Sequence, residues 1–171
     1  MAGRNFRGAY REIRILKFEK YYSNIQIHRD FQKPDATIRS DPVLLEQVFQ
    51  NLILNAREAI ENCGDLRHGG QILLKTTAEG DWIHVAVADN GPGIDARRRG
   101  DIFTPMVTSR PGHLGIGLSI CRDILEKLGG RIAFRDRPGG GAVFTVSLPS
   151  GRDSGEGTID KRSETHGAAQ A

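Results

Sequence analysis

The sequence predicts an α+β fold, a two-layer sandwich in which one mixed, mostly antiparallel sheet packs on about three helices. Two observations predict it. Several segments alternate apolar and polar residues, as strands with one buried face do, and they come in pairs joined by short turns. Other segments place an apolar residue at every third or fourth position, which is the spacing of helices with one buried side. With 171 residues, the chain is long enough for one such domain and a tail.

The first predicted elements are a helix and a strand pair. Ala9–Tyr22 has the apolar spacing of a short helix, and Asn24–Phe31 alternates like a strand. A turn follows at Gln32–Asp35, and residues 37–40 are expected to form a short returning strand.

The next element is a long helix that begins at Asp41-Pro42. Aspartate caps the free N–H groups of a first turn, and proline suits the first helical position. The helix is expected to run to about Asn62 and to end at Cys63-Gly64. Its apolar stripe consists of Leu45, Val48, Phe49, Leu52, Ala56, Ala59 and Ile60.

The second half of the chain alternates strands with one helix. Gln71–Glu79 and Asp81–Asp89 read as strands joined by a tight turn. Ile116–Leu128 has the pattern of an amphipathic helix, closed by a lysine near its end and a glycine beyond it. Arg131–Asp136 and Ala142–Leu148 are expected to form a closing hairpin.

The segment between these elements and the end of the chain lack such patterns. From Asn90 to about Gly115 there is little periodicity, and a connection of that length within a compact domain is usually functional or mobile. Residues 150–171 are polar and charged with almost no large apolar side chain, so they are expected to be a disordered tail.

Composition argues against several functional classes. The net charge is only +3 and no basic run carries interleaved aromatics, so no nucleic-acid partner is expected. Arg97-Arg98-Arg99 is the densest basic spot, typical either of a solvated face or of a phosphate contact. Cys63 and Cys121 form neither a disulfide framework nor a metal motif, which suits a reducing compartment. No apolar run reaches the roughly 20 residues that span a bilayer, and no signal peptide opens the chain. We therefore expect a cytoplasmic chain without membrane contact; if the natural protein is longer, a membrane anchor could lie in a part outside this sequence.

Asp89 is the first candidate functional residue. The strand before it alternates with Ile83, Val85 and Val87 on one face, and the same parity puts Asp89 on that apolar face. A buried carboxylate is costly without hydrogen-bond donors. Because no partner is evident and a glycine-rich turn follows, one interpretation is that a ligand supplies the donor. The alternative is a hairpin turn with an Asx-type hydrogen bond.

Two further groups of residues point to a phosphate ligand. Asn51 and Asn55 share one face of the long helix, with Gln47 and Glu58 extending the polar stripe. This stripe is either a solvated surface or a set of amide oxygens for Mg²⁺ that phosphates also hold. Gly112–Leu118 opens the second helix with three glycines, which allows backbone N–H groups to approach a phosphate, although a flexible hinge has the same composition. None of the five histidines forms a catalytic set.

The order of these motifs resembles the ATP-binding catalytic domain of sensor histidine kinases, in the superfamily that includes gyrase-type topoisomerases and large heat-shock chaperones. Asn51–Ala56 looks like its N box and Asp89–Ile94 like its G1 box. Ile102–Ser109 is similar to the F box, and Gly112–Leu118 matches the G2 box. The resemblance covers about residues 25–149, implies the Bergerat fold, and is closest to the nitrogen-regulatory and oxygen-sensing class.

The resemblance implies ATP and Mg²⁺ as cofactors. Asp89 would accept a hydrogen bond from the adenine amino group, and Asn55 would bind Mg²⁺ with the support of Asn51. Residues 90–113 would be the lid over the nucleotide, packed down by Phe103, and Arg110 would face the γ-phosphate. The other residues assigned to the nucleotide are Asn90, Gly91, Gly93, Ile94, Thr108, Ser109, Gly112, His113, Leu114, Gly115, Ile116, Gly117 and Leu118.

Two positions depart from the family pattern. Glu58 stands where many members carry a basic residue, which puts a phosphate contact from that position in doubt. Asn51 stands where the hydrolytic relatives place a glutamate that activates water, and an amide is a far poorer base. The second departure favours phosphate transfer to a positioned acceptor over hydrolysis.

The phosphoacceptor expected from the resemblance, a histidine followed by an acid on a dimerising helical hairpin, is not found in this sequence. We therefore expect a module of a longer kinase, with residues 1–22 as a linker helix or a remnant of the dimerisation domain and residues 23–149 as the catalytic domain. Its expected partners are that histidine-bearing domain and a response regulator. The alternatives are a stand-alone ATPase, a protein serine kinase and a nucleotide-binding module without chemistry.

Overall fold

The computed structural model describes residues 24–32, 38, 40–64, 69–107 and 114–151. The predicted helix Ala9–Tyr22 and the polar tail from residue 152 onward lie outside these ranges. Of the predicted strand at 37–40, the structure describes Ile38, which forms an isolated bridge, and Ser40. The division of the chain into linker, domain and tail therefore stays a prediction.

Five strands and two α-helices make up the described fold, which confirms the predicted α+β class. In chain order they are β1 (Ile25–Phe31), α1 (Pro42–Glu61), β2 (Gly70–Glu79), β3 (Trp82–Asp89), a short 3₁₀ helix (Ala96–Arg98), α2 (Gly117–Lys127), β4 (Arg131–Asp136) and β5 (Ala142–Pro149). The predicted boundaries hold to within one residue for each of these β-strands and α-helices, whereas the 3₁₀ helix lies in the segment for which no element was predicted.

The strands form one sheet in the order β1-β2-β3-β5-β4. Three of its four pairings are antiparallel. Strands β2 and β3, and strands β4 and β5, are consecutive and joined by short turns, whereas β3 and β5 are separated in the chain by α2 and β4. The pairing of β1 with β2 is parallel, with Ile25 opposite Gly70. The physical reason is the connection: α1 lies between these two strands, and a long helical crossover is what allows parallel neighbours.

Helix α1 begins where the sequence predicts. The Asp41 side chain accepts the N–H groups of Val43 and Leu44, at 2.8 and 3.3 Å, and Pro42 takes the first helical position. The buried side of the helix consists of Val48, Phe49, Leu52, Ile53, Ala56 and Ile60. Ile53 is an addition to the predicted stripe, whereas Leu45 and Ala59 are only half-buried.

Both helices pack on one face of the sheet, and the core lies between the two layers. Helix α1 contacts β2, β3 and α2, and α2 contacts β4. The register aligns the inward residues across the sheet, since Leu74 is paired with Val87 and Val85 with Val146. All four of these side chains are buried. No helix in the described ranges is long and apolar enough to cross a membrane.

Candidate functional site

A cavity of about 560 Å³ opens between α1, the end of β3 and the start of α2. Its lining comes from four separate stretches of sequence that the fold brings together. The lining residues are Asn51, Leu54, Asn55, Glu58, Ala59, Asp89, Gly93, Ile94, Asp95, Arg98, Ile102, Val107, Leu114, Gly115, Ile116, Gly117, Leu118, Ala142 and Phe144.

One wall of the cavity is the polar face of α1. Asn51 and Asn55 are both half-buried there, so the paired amides are not a solvated helix surface. The Asn51 Nδ2 atom lies 3.5 Å from the Gly117 carbonyl oxygen, which connects this wall to the first turn of α2. Glu58 continues the wall, whereas Gln47 is exposed and lies outside the cavity lining. Of the predicted polar stripe, only the part from Asn51 onward therefore faces the cavity.

Asp89 lies in the cavity wall at the end of β3, with 2 % of its surface exposed. This burial confirms the prediction from strand parity. The expectation that the chain offers no partner is wrong: Asp89 Oδ1 accepts the N–H of Gly91 at 2.9 Å and that of Ala142 at 3.3 Å. The Gly91 contact is the Asx-type turn of the alternative interpretation. The two interpretations are compatible, because a carboxylate has acceptor sites for a turn and a ligand together.

The other G1-box residues hold the backbone in place. The Asn90 side chain is directed to β2, where its Oδ1 accepts the Gln71 N–H at 2.7 Å and its Nδ2 donates to the Gly69 carbonyl at 2.9 Å. Asn90 and Gly91 are absent from the cavity lining, whereas Gly93 and Ile94 line it. Asn90 thus anchors the turn to the sheet.

The segment after the G1 box forms a second wall. Ile94, Arg98 and Ile102 line the cavity at intervals of four residues, and Arg98 is the last residue of the 3₁₀ helix. Phe103 does not line it. Its ring packs edge-on against Phe144, with centroids 6.4 Å apart, and Phe144 itself lines the cavity. Phe103 therefore supports the wall from behind, in line with its expected packing role.

The segment that leads into α2, together with the first residues of that helix, closes the cavity beside Asn51. Leu114, Gly115, Ile116, Gly117 and Leu118 all line it, and no side chain caps the helix at Ile116. Free N–H groups and the helix dipole make such a terminus attractive to an anion. Gly115 has φ +66°, and a Cβ there would lie 2.8 Å from the Val107 carbonyl. Glycine is thus required at this position by both conformation and space.

Cys121 lies directly behind the Asn51 wall. Its side chain is fully buried, and its Sγ lies 3.7 Å from the Val48 carbonyl oxygen. Burial raises the pKa of the thiol from 9.0 to about 11, and a hydrogen bond with Asn51 opposes that rise. Because the thiolate is the reactive form, Cys121 is a packing residue rather than a nucleophile.

Five of the predicted nucleotide residues cannot be located relative to the cavity. Thr108, Ser109, Arg110, Gly112 and His113 lie outside the described residues, so their roles stay predictions.

Several lining residues were not predicted from the sequence. Ala142 and Phe144 come from β5, more than fifty positions from Asp89, and no local pattern marks them. Leu54 carries only the ordinary signal of an apolar residue, and Ile102 and Val107 belong to the F-box resemblance without a role assigned to either. Arg98 belongs to the basic triplet of residues 97–99, and nothing in the sequence separates it from its two neighbours.

Comparison with known proteins gives one consistent result. Residues 40–152 match the family of histidine kinase-, DNA gyrase B- and HSP90-like ATPases. The alginate biosynthesis sensor protein KinB of Pseudomonas aeruginosa is 41% identical over 117 residues, which is 66% of this chain and 18% of KinB. The sensory histidine kinase/phosphatase NtrB of Escherichia coli O157:H7 is 35% identical over 136 residues, 74% of this chain and 37% of NtrB.

Solved structures agree with the sequence relatives. The nucleotide-free catalytic domain of the histidine kinase ThkA has a TM-score of 0.73 and 31% identity, covering 87% of this chain and 96% of that domain. ThkA has also been solved in complex with the response regulator protein TrrA; this match has a TM-score of 0.68 and 31% identity, over 85% of this chain and 41% of ThkA.

The chain spans well under half the length of these curated relatives, 18% of KinB and 37% of NtrB. It nevertheless covers nearly all of the isolated ThkA catalytic domain. The match across residues 40–152 includes every motif whose described residues meet at the cavity. On its sequence, its fold and its relatives, the chain belongs to the family of histidine kinase-, DNA gyrase B- and HSP90-like ATPases.

Proposed function

We propose that this chain is the ATP-binding catalytic module of a two-component sensor histidine kinase. The module transfers the γ-phosphate of ATP to a histidine on a separate dimerisation domain, and from there the phosphate passes to a response regulator. The observation that carries the proposal is the cavity itself: a buried carboxylate, a pair of asparagines and an uncapped helix terminus face one space.

In this proposal Asp89 recognises the adenine by accepting a hydrogen bond from its amino group. A carboxylate accepts hydrogen bonds and does not donate them when ionised, so it selects a base edge that carries an amino group. The backbone N–H groups of Gly91 and Ala142 fix the orientation of Asp89 before the ligand arrives. A preset acceptor costs less ordering on binding than one that must first be immobilised.

In this proposal Asn55 would bind the Mg²⁺ that accompanies the phosphates of the nucleotide, and Asn51 would support that site. The described residues contain no cluster of three His, Cys, Asp or Glu side chains that could hold a metal by themselves. This fits Mg²⁺, which commonly takes one or two protein oxygens and completes its shell with substrate phosphates and water. Asn55 would provide the amide oxygen, and the bound ion would neutralise charge on the phosphates. Asn51, close to the Gly117 carbonyl, orients that wall.

The same wall supports transfer of the phosphate rather than hydrolysis. The described lining contains carboxylates at Glu58, Asp89 and Asp95, and we assign none of them to the activation of water. Asn51 has an amide, which cannot take a proton from water at neutral pH. The nucleotide is thus held for an acceptor histidine that another domain brings in.

Two partners follow from this chemistry: the histidine-bearing dimerisation domain of the same kinase and a response regulator. The solved complex of ThkA with TrrA supports the second partner. The unpaired thiols Cys63 and Cys121 and the need for ATP support a cytoplasmic location for the module.

The test is calorimetric titration of the chain with a non-hydrolysable ATP analogue and Mg²⁺, for the parent and for Asp89→Asn. Asparagine retains the Oδ1 acceptor for Gly91 and Ala142, so the turn should survive, but its Nδ2 cannot accept a bond from adenine. We expect at least ten-fold weaker binding, the value of roughly 1.5 kcal/mol for one charged hydrogen bond. Equal affinities would remove Asp89 from the adenine site.

The transfer step needs a second measurement. The chain is mixed with a dimerising helical domain that carries an acceptor histidine, and labelled ATP is added. Acid-labile phosphate on that domain supports a histidine kinase, and acid-stable phosphate indicates a serine kinase. Steady Mg²⁺-dependent phosphate release by the chain alone indicates an ATPase, and binding without either product indicates a non-catalytic module.

A further inference from the structure

We propose that Arg98 binds the phosphates of the nucleotide, an inference that rests on the ATP-binding role proposed above. Arg98 is half-buried, and it forms part of the cavity wall between Ile94 and Ile102. Neither the Asp89 contact nor the asparagine pair involves it.

The local fold separates Arg98 from its two arginine neighbours. Asp95 caps the 3₁₀ helix by accepting the Arg97 N–H at 2.9 Å, and the Asp95 carbonyl accepts the Arg98 N–H at 2.9 Å. Arg97 is exposed to solvent. Arg99 is engaged elsewhere, because its guanidinium lies 2.8 Å from Asp136 on β4 and its Nε donates to the Ile94 carbonyl. Only Arg98 of the three lines the cavity.

The charge of the cavity wall gives Arg98 its importance. Among the lining residues that the structure describes, Glu58, Asp89 and Asp95 are acids, and Arg98 is the one lysine or arginine. Nucleotide phosphates remain negative even with one Mg²⁺ bound. Arg98 places a positive charge in this wall, where it would attract the phosphates.

The Arg98 guanidinium is also available for a ligand. Within the described part of the chain it makes no hydrogen bond and no ion pair, in contrast to Arg99. A guanidinium presents several N–H groups in a planar fork that matches phosphate oxygens, and these charge-assisted bonds are stronger than neutral ones. Its position and its chemistry therefore both point to the phosphates.

The experiment compares Arg98→Gln with Arg97→Gln, which removes the same charge one residue away from an exposed position. Parent and variants are titrated with a non-hydrolysable ATP analogue and Mg²⁺, and with adenosine by ligand-detected NMR. We expect Arg98→Gln to weaken the triphosphate roughly ten-fold and to leave adenosine binding unchanged. Arg97→Gln should bind both like the parent, and Arg98→Lys should recover part of the loss because it keeps the charge without the fork.

Three outcomes bear on the inference separately from the proposed function. Equal affinities of Arg98→Gln and Arg97→Gln for the triphosphate would overturn it, and so would an equal loss of adenosine and triphosphate binding. A parent chain that binds no nucleotide would instead refute the ATP-binding role. Thermal unfolding of each variant, compared with the parent, separates a local loss of contact from a loss of fold.

Discussion

At the scale of single residues, Asp89 shows how one side chain serves both fold and site. Its Oδ1 atom joins the end of β3 to the start of β5 through the Ala142 N–H, and it closes the turn at Gly91. The acid was predictable from alternation along one strand, because parity alone decides which face a residue takes. Its partner Ala142 was not, because 53 residues separate the two.

Cys121 gives a prediction at the same scale. In the folded protein at pH 8, a thiol reagent should modify the half-buried Cys63 and leave Cys121 intact, because Cys121 is fully buried and its pKa is about 11. The measurement is mass spectrometry of the alkylated chain with and without denaturant. Rapid modification of Cys121 in the folded state would contradict the buried position.

The raised pKa of Cys121 also sets a pH dependence. The folded value, about 11, lies above the ordinary value of 9.0, so the fold favours the protonated thiol. This contribution to stability is fully present below pH 9 and is lost as the pH rises through 11. Urea unfolding of the parent and of Cys121→Ala should therefore give a difference in free energy that shrinks over this range, and a constant difference would refute the assignment.

At the scale of elements, α1 combines two faces with different duties. Its apolar side packs on β2 and β3, and its polar side presents Asn51 and Asn55 to the cavity. The cap at Asp41 and the spacing of the apolar residues predict from the sequence alone where this helix begins and which of its sides is buried. What the helix pattern could not decide was whether the asparagines faced solvent or a ligand, because a polar face is common to both.

The β4–β5 turn gives the prediction for an element. Gly141 and Gly139 both have positive φ, +105° and +87°. A Cβ at Gly141 would collide with the Asp89 carbonyl, whereas at Gly139 it would meet nothing within 4 Å. Gly139→Ala should therefore show only the conformational cost, about 1–2 kcal/mol. Gly141→Ala should lower the free energy of unfolding by more than this. It should also weaken nucleotide binding, because it displaces the backbone of Asp89.

Urea unfolding and nucleotide titration of the two glycine variants check this prediction. Gly139→Ala serves as the matched control, since it shares the strained conformation without the collision. Similar losses of stability and of nucleotide affinity in both variants would mean that the contact between Gly141 and the Asp89 backbone contributes to neither.

At the scale of the whole molecule, the cavity depends on the sheet and both helices together. Nucleotide binding should therefore stabilise the domain by mass action. At a ligand concentration of a hundred times Kd, the free energy of unfolding should rise by about 2.7 kcal/mol. Asn55→Ala should lose most of this gain, because it removes the proposed magnesium ligand. Gln47→Ala changes an exposed residue of the same helix and should keep it.

Thermal unfolding with and without Mg²⁺ and the ATP analogue measures this effect. Stabilisation of Asn55→Ala equal to that of the parent would exclude Asn55 from the site. Stabilisation that does not require Mg²⁺ would exclude the metal while leaving the nucleotide in place.

The strands, the helices and the order of the motifs follow from the sequence alone. Alternation, helical spacing and capping are local properties, which is why the five β-strands and two α-helices of the described residues were predicted nearly to the residue. The resemblance across the four boxes added the family, which the match over residues 40–152 confirms.

The contacts that form the site depend on how distant segments pack together in the fold. The parallel pairing of β1, the bond from Ala142 to Asp89 and the place of Phe144 in the cavity depend on contacts between distant segments. The same holds for Arg98, since three adjacent arginines look alike in sequence and a 3₁₀ turn directs each one differently. Strands and helices can be predicted from local patterns because the interactions that form them act between residues near in sequence. The site, in contrast, is formed by packing between segments that are far apart in the chain.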